Sequence, residues 1–99
     1  MELTHQDDGR AGVFVLKDGA MTMGEASYVW VGSNHIILDH TGVRPQYAGQ
    51  GLGKRLVDAV VELARNKEIS ITPQCSYARV LFERDKSYKD VVSVQPSGF

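Results

Sequence analysis

The chain has little of what would staple it, break it or draw it to a charged surface. Cys75 is the single cysteine among 99 residues, so no internal disulfide can form, which fits a reducing compartment. With only three prolines and no low-complexity tract or internal repeat, most of the chain is free to enter regular structure. Neither sign of charge dominates: eleven Lys and Arg face twelve Asp and Glu, for a formal net charge of -1. That balance gives no footprint for nucleic acid or a membrane surface. No apolar run is long enough to span a bilayer. The opening residues Met1 to Asp8 are polar and acidic, without the basic end and apolar stretch of a signal peptide, so a cytoplasmic location is expected. Three histidines and one cysteine show no metal-ligand spacing, and no metal is expected. The length suits one small domain with a modest core, read as residues 1–92 with a loose tail over 93–99.

What is present is β-rich at first. Gly12 to Lys17 carries Val13, Phe14, Val15 and Leu16, and Lys17-Asp18-Gly19 is a strong hairpin signal. Ala20 to Val31 reads as a longer strand, with Gly24 marking a bulge or a bend. After Gly32-Ser33-Asn34, a strand over His35 to Thr41 places Ile36, Leu38 and His40 on one face and His35, Ile37 and Asp39 on the other. A short leading strand fits Leu3 to Gln6. Gly42 to Gly53 then holds Pro45 and several glycines and reads as loop. From Gly51 the spacing turns helical: Leu52, Leu56, Val60 and Leu63 recur every three or four residues, as far as Asn66-Lys67. Ile69 to Thr72 is a short strand stopped by Pro73. Ser76 to about Asp85 is a second helix, with Ser76 as its N-cap and Tyr77, Val80 and Leu81 facing inward. Tyr88 and Val91-Val92 close the structure. Strand, glycine loop, helix and strand make a βαβ unit, whose crossover sets its two strands parallel. The class is α/β (α+β), with a mixed sheet.

The segment Gly49-Gln50-Gly51-Leu52-Gly53 carries the chemistry. Glycines at the mouth of a helix let backbone approach a ligand closely. The first N–H groups of a helix lack intrahelical partners and sit at its positive end, which suits phosphate. Lys54 and Arg55 add positive charge where the helix dipole disfavours it, a placement that makes sense beside a polyanion. A glycine-rich connector with ordinary surface charges is the plainer reading. A P-loop is excluded, because Arg55 follows Gly53-Lys54 and Ala48 stands at the required first glycine. A dinucleotide fingerprint is excluded too, because Lys54 stands where the third glycine belongs.

The same segment resembles motif A of the GNAT acetyltransferases, Gln/Arg-x-x-Gly-x-Gly/Ala, with Gly51 and Gly53 at the glycine positions. Ala48 departs from it, standing where Gln or Arg is expected. With His40-Thr41-Gly42-Val43 before it and Cys75-Ser76-Tyr77-Ala78 after it, the stretch from Glu25 to Val91 is similar to a group of very short GNAT-like proteins. These lack the N-terminal helices that shape the acceptor pocket of larger GNAT enzymes. The resemblance implies a minimal GNAT-like fold with a mixed, mostly antiparallel sheet and two helices. It implies acetyl-CoA bound between two splayed parallel strands, His35–Val43 and Ile69–Thr72. The binding residues would be Thr41, Gly42, Val43, Ala48, Gly49, Gln50, Gly51, Leu52, Gly53 and Lys54. It also implies an N-acetyltransferase with an unidentified amine or protein acceptor. An exposed sheet edge leaves the oligomeric state open between a monomer and a weak dimer.

Transfer from a thioester needs a deprotonated acceptor, a polarised carbonyl and a leaving thiolate. Cys75 sits at an expected helix N-terminus, a position that favours thiolate and admits a two-step mechanism; its plainer reading is a buried, inert small residue. His40 ends its strand near the expected acetyl end, as a base or as the activator of Cys75, or simply as a histidine satisfied at a sheet end. Tyr77 or Tyr88 could protonate the leaving thiolate, although packing is the commoner role, and Trp30 reads as a core anchor. A non-catalytic acyl-CoA-binding or sensing module is the rival function, and an interaction domain without ligand the third.

Overall fold

In the computed structural model, residues 1–92 are described, and the expected tail over 93–99 lies outside them. The strands are β1 (Glu2–Asp7), β2 (Ala11–Asp18), β3 (Met21–Trp30), β4 (His35–Val43) and β5 (Ser70–Pro73). The helices are α1 (Leu52–Lys67) and α2 (Ser76–Arg84), with single 3-10 turns at Pro45–Tyr47 and Lys86–Tyr88. The strands form one sheet in sequence order, antiparallel from β1 to β4 and parallel between β4 and β5. The β1–β2 turn is made by its own side chains: Asp7 accepts from the Gly9 N–H, and Asp8 from the N–H groups of Arg10 and Ala11. Helix α1 buries Leu52, Leu56, Val57, Val60, Val61 and Ala64. Across from this stripe stand Phe14, Leu16, Ala26, Tyr28, Ile36, Leu38 and Ile71, all in one core.

Two bulges decide which side chains join that core. In β3, Leu16 faces Gly24 and Lys17 faces Thr22, so Met23 is the extra residue, beside the glycine that marked the irregularity. In β4, Tyr28 faces Leu38 while Ser27 faces His40, so Asp39 is extra and accepts a 2.8 Å hydrogen bond from Ser27 Oγ. The inserted residue reverses the phase of the strand. Thr41 and Val43, opposite Ala26 and Gly24, therefore continue the inward row begun by Ile36 and Leu38. The strict alternation expected along His35–Thr41 fails for this reason, and His40 lies on the other face from Leu38.

Helix α2 also departs from expectation. Cys75, not Ser76, is its N-cap, its sulfur accepting from the Ala78 N–H at 3.4 Å. Ala78 is the buried residue, and Leu81 and Phe82 pack against the core, while Tyr77 and Val80 are 42% and 46% exposed. Starting the helix one residue earlier assigns the inward positions to 78, 81 and 82. Beyond it, Tyr88 is buried, the Ile71 N–H donates to the Val91 carbonyl at 2.7 Å, and Val92 bridges Ile71.

Gly24 ties this architecture to the site. A Cβ there would lie 2.6 Å from the Gly42 carbonyl oxygen, a backbone atom that cannot rotate away. Gly24→Ala should therefore push β3 from β4 and lower stability by about 1–3 kcal/mol, read as a lower urea midpoint at unchanged slope.

Candidate active site

The pairing of β4 with β5 stops at Leu38 and Pro73. Proline has no N–H to continue a ladder. The Leu38 carbonyl instead accepts from both the Gln74 and Cys75 N–H groups, at 2.9 and 3.3 Å. Beyond this point β4 runs on to Val43 while the other chain turns into α2. The gap opens into a cleft of about 390 Å³, lined by Thr41, Gly42, Val43, Tyr47, Ala48, Gly49, Gly51, Leu52, Gly53 and Tyr77. Eight of the ten residues expected to hold the ligand line it; Gln50 and Lys54 do not.

The glycines divide the work. Gly49 and Gly51 have φ of 81° and 75°, and a Cβ on either would meet nothing within 4 Å. Glycine is favoured there by backbone conformation alone, since no neighbour crowds either position. Gly51 is the N-cap of α1 and its carbonyl accepts from the Arg55 N–H, so the N–H groups of Leu52, Gly53 and Lys54 precede the first helical bond. These N–H groups at the positive helix end make a place where an anion can be accepted. Gly53 is buried, and its missing side chain makes room for Tyr77.

Cys75 does not line the cleft but contacts Thr41, which does, the sulfur donating to Oγ1 at 3.6 Å and accepting from the Ala78 N–H. A free, half-buried thiol thus has a donor aimed at it. Thr41 and His40 are consecutive on a strand and point to opposite faces. The structure therefore does not bring His40 to Cys75. The His40 ring lies along the far face, with Nε2 3.1 Å from where a Cβ on Gly42 would be. It does not line the cleft.

Lys54 has a different partner from the one expected. Its Nζ lies 3.3 Å from both Asp58 carboxylate oxygens, 3.3 Å from Tyr88 Oη and 3.5 Å from Asp85 Oδ2. The Tyr88 hydroxyl and Asp58 hold the Lys54 ammonium above its ordinary value. Tyr88 donates to Asp58 in turn; burial and that bond push its phenol up to about 12. No group of three or more potential metal ligands occurs among the described residues. No described helix is long and apolar enough to cross a membrane.

Against known proteins, a family model described as GCN5-related N-acetyl-transferase matches residues 13–91. The chain belongs to this GNAT family. It is similar to a GCN5-like protein from Staphylococcus aureus known from an NMR structure, at 37% identity and a TM-score of 0.74, over 95% of this chain and 89% of that one. Two larger structures share the fold at 18% identity. One is a GNAT family acetyltransferase from Elizabethkingia anophelis with acetyl-CoA bound, at a TM-score of 0.59 over 76% of this chain and 52% of that one. The other is a ribosomal-protein-alanine N-acetyltransferase from Brucella melitensis, at a TM-score of 0.64 over 89% and 65%. The chain thus spans only about half to two thirds of these larger proteins. No curated protein matches it.

Within this GNAT domain, Tyr47 and Tyr77 are the cleft residues that the sequence did not assign to binding. Tyr47 carries no signal beyond its nearness to the glycine loop, whereas Tyr77 follows Cys75 by two residues. The Tyr88 network gives a direct check. The folded state favours the neutral phenol, so the contribution of Tyr88 to stability is complete below its ordinary value of 10 and is lost as pH rises through about 12. In a spectrophotometric titration, Tyr88→Phe should remove a tyrosinate step near 12 and none near 10.

Proposed function

We propose that this GNAT domain is an acetyl-CoA-dependent N-acetyltransferase acting on an amine, free or carried by a protein. The observation that carries this reading is a single cleft that joins the glycine cradle to Thr41, whose hydroxyl accepts from the Cys75 thiol behind it. The cradle residues Gly49, Gly51, Leu52 and Gly53 hold the diphosphate of the co-substrate through backbone N–H groups. The edge of β4 over Thr41–Val43, unpaired by β5, offers backbone groups to the pantetheine arm and an N–H to the thioester carbonyl.

Cys75 is the proposed nucleophile. Its thiolate forms a bond to the acetyl carbonyl carbon, the bond from that carbon to the coenzyme sulfur breaks, and the coenzyme thiolate takes up a proton. The acceptor amine then forms its bond to the same carbon, the bond to the Cys75 sulfur breaks, and the amine loses a proton. His40 suits that last step better than the first. Its ring lies beside Gly42 on the face opposite Thr41, so in this reading the acceptor reaches it from the side away from the co-substrate. Thr41 holds the sulfur beside the cleft.

Acetyl-CoA should stabilise the protein against unfolding by about 2.7 kcal/mol at one hundred times Kd, and adenosine much less. Mass spectrometry after incubation without acceptor should find one acetyl group on Cys75, removed by a competent amine. Cys75→Ala should bind acetyl-CoA and fail to turn over. Lack of any stabilisation at millimolar acetyl-CoA would overturn the whole reading. An unlabelled Cys75 together with an active Cys75→Ala protein would leave direct transfer, with His40 as the base. Binding without release of coenzyme to any acceptor would make the domain a sensing module.

A further inference from the structure

The three glycines of the loop are not equivalent, and the odd one points to a residue outside the cradle. Gly49 and Gly51 need their positive φ and face open space, whereas Gly53 has no positive φ and lies in the first turn of α1. A Cβ on Gly53 would fall 2.5 Å from Tyr77 Oη, 2.6 Å from Cζ and 2.9 Å from Cε2. Its side chain is absent because the ring of Tyr77 occupies that space. Tyr77 itself is 42% exposed and its hydroxyl makes no hydrogen bond among the described residues, so the ring is not there to fill the core or to satisfy a polar group. It leaves the first turn of α2, two residues after the Cys75 cap, and is seated on the first turn of α1.

We infer that Tyr77, through its ring on Gly53, is a positioning residue that fixes the phosphate cradle relative to the Cys75 thiol. This rests on the proposed reading of the cleft. Each half is built without Tyr77: the cradle from the backbone of Gly49 to Gly53, and the thiol site from Leu38, Thr41 and Ala78. The ring joins the halves across the cleft. Its loss leaves coenzyme able to bind and the cysteine intact, but misplaces one against the other. The phenol oxygen forms no hydrogen bond among the described residues, and ring carbons Cζ and Cε2, which a phenylalanine keeps, are themselves within 2.6 and 2.9 Å of the same point, so the ring suffices.

The test is a double-substitution cycle in the full chain with Tyr77→Ala, Gly53→Ala and both together, plus Tyr77→Phe. Circular dichroism first verifies that each variant is folded. Two readouts are taken: the rate of Cys75 acetylation by acetyl-CoA, and the protection of Cys75 from iodoacetamide by coenzyme A, which needs no turnover. Tyr77→Ala should slow acetylation by about 10- to 100-fold, the scale of a reacting group misplaced by about 1 Å, and should lose most of the protection. Gly53→Ala should match it, because the methyl group expels the ring. The double variant should be no worse than either single one, since both remove the same contact. Tyr77→Phe should retain most of the rate and the protection. Multiplied losses in the double variant, wild-type behaviour of Tyr77→Ala, or an equal loss in Tyr77→Phe would each overturn the inference, the last in favour of the hydroxyl as an acid. A wild-type protein that does not bind acetyl-CoA at all would fail the proposed function instead, and is seen before any variant is compared.

Discussion

The whole site depends on the point where two parallel strands part. Leu38 ends the β4–β5 ladder with one carbonyl that accepts two N–H groups, and Pro73 has none to offer onward. Neighbouring strands in a sheet lie about 4.8 Å apart, too close to admit anything between them. Separation here costs the hydrogen bonds that β5 would have given to the rest of β4. The outer edge of Thr41–Val43 is thus left with backbone groups that a ligand can satisfy. Asp39 adds the second half of the device. As the extra residue of a bulge it turns Thr41 and Val43 toward the helices just where the gap begins. An unbulged strand would have continued the inward row of Ile36 and Leu38 with His40 and Gly42, leaving Thr41 and Val43 on the opposite face.

Around this gap the two helices play complementary parts. Both point N-termini at it, α1 through Gly51 and α2 through Cys75. Neither first turn carries an acidic residue, so the positive ends are not neutralised by their own side chains. The sheet meanwhile is anchored at its far edge without help from a helix. Tyr28 passes over Gly12 and donates to Asp7, and Trp30 Nε1 donates to the same carboxylate at 2.9 Å. Since the single phenol proton is committed to Asp7, His5 must be the donor in its 2.7 Å bond to Tyr28 Oη, which fixes that ring nitrogen as protonated. Trp30 is therefore less a core anchor than a clamp on β1.

How much of this was legible follows from which signals are local. The α1 stripe, the glycine loop, the Pro73 stop and the mixed sheet were readable because each is written in consecutive residues. The Asp39 bulge was not, because Ile36-Ile37-Leu38-Asp39-His40 alternates well enough to hide one inserted residue, and only pairing with Ser27 and Tyr28 reveals it. That single residue is why Cys75 and His40 seemed partners and are on opposite faces. The cap of α2 was missed by one position for a related reason: Ser76 is the commoner N-cap, but the Leu38 carbonyl fixes Cys75 in extended backbone first. The long-range partners of Lys54 had no local signal beyond Asp58 one turn later; Asp85 and Tyr88 come from beyond α2.

The fate of Lys54 explains why the loop tolerates its own departures. A cation held by Asp58, Asp85 and Tyr88 contributes little field to the cleft, because its charge is already countered within a few ångströms. Ala48 likewise supplies no donor where the family pattern expects Gln or Arg. Neither Lys54 nor Ala48 thus offers a free side-chain donor to the loop. What remains is backbone: positive φ at Gly49 and Gly51, and the free N–H groups of the first turn of α1. In the proposed reading, recognition built this way depends on conformation more than on side-chain chemistry. Neighbouring residues can then vary while the two left-handed glycines cannot, and Gly53 is held by a different constraint, the ring of Tyr77.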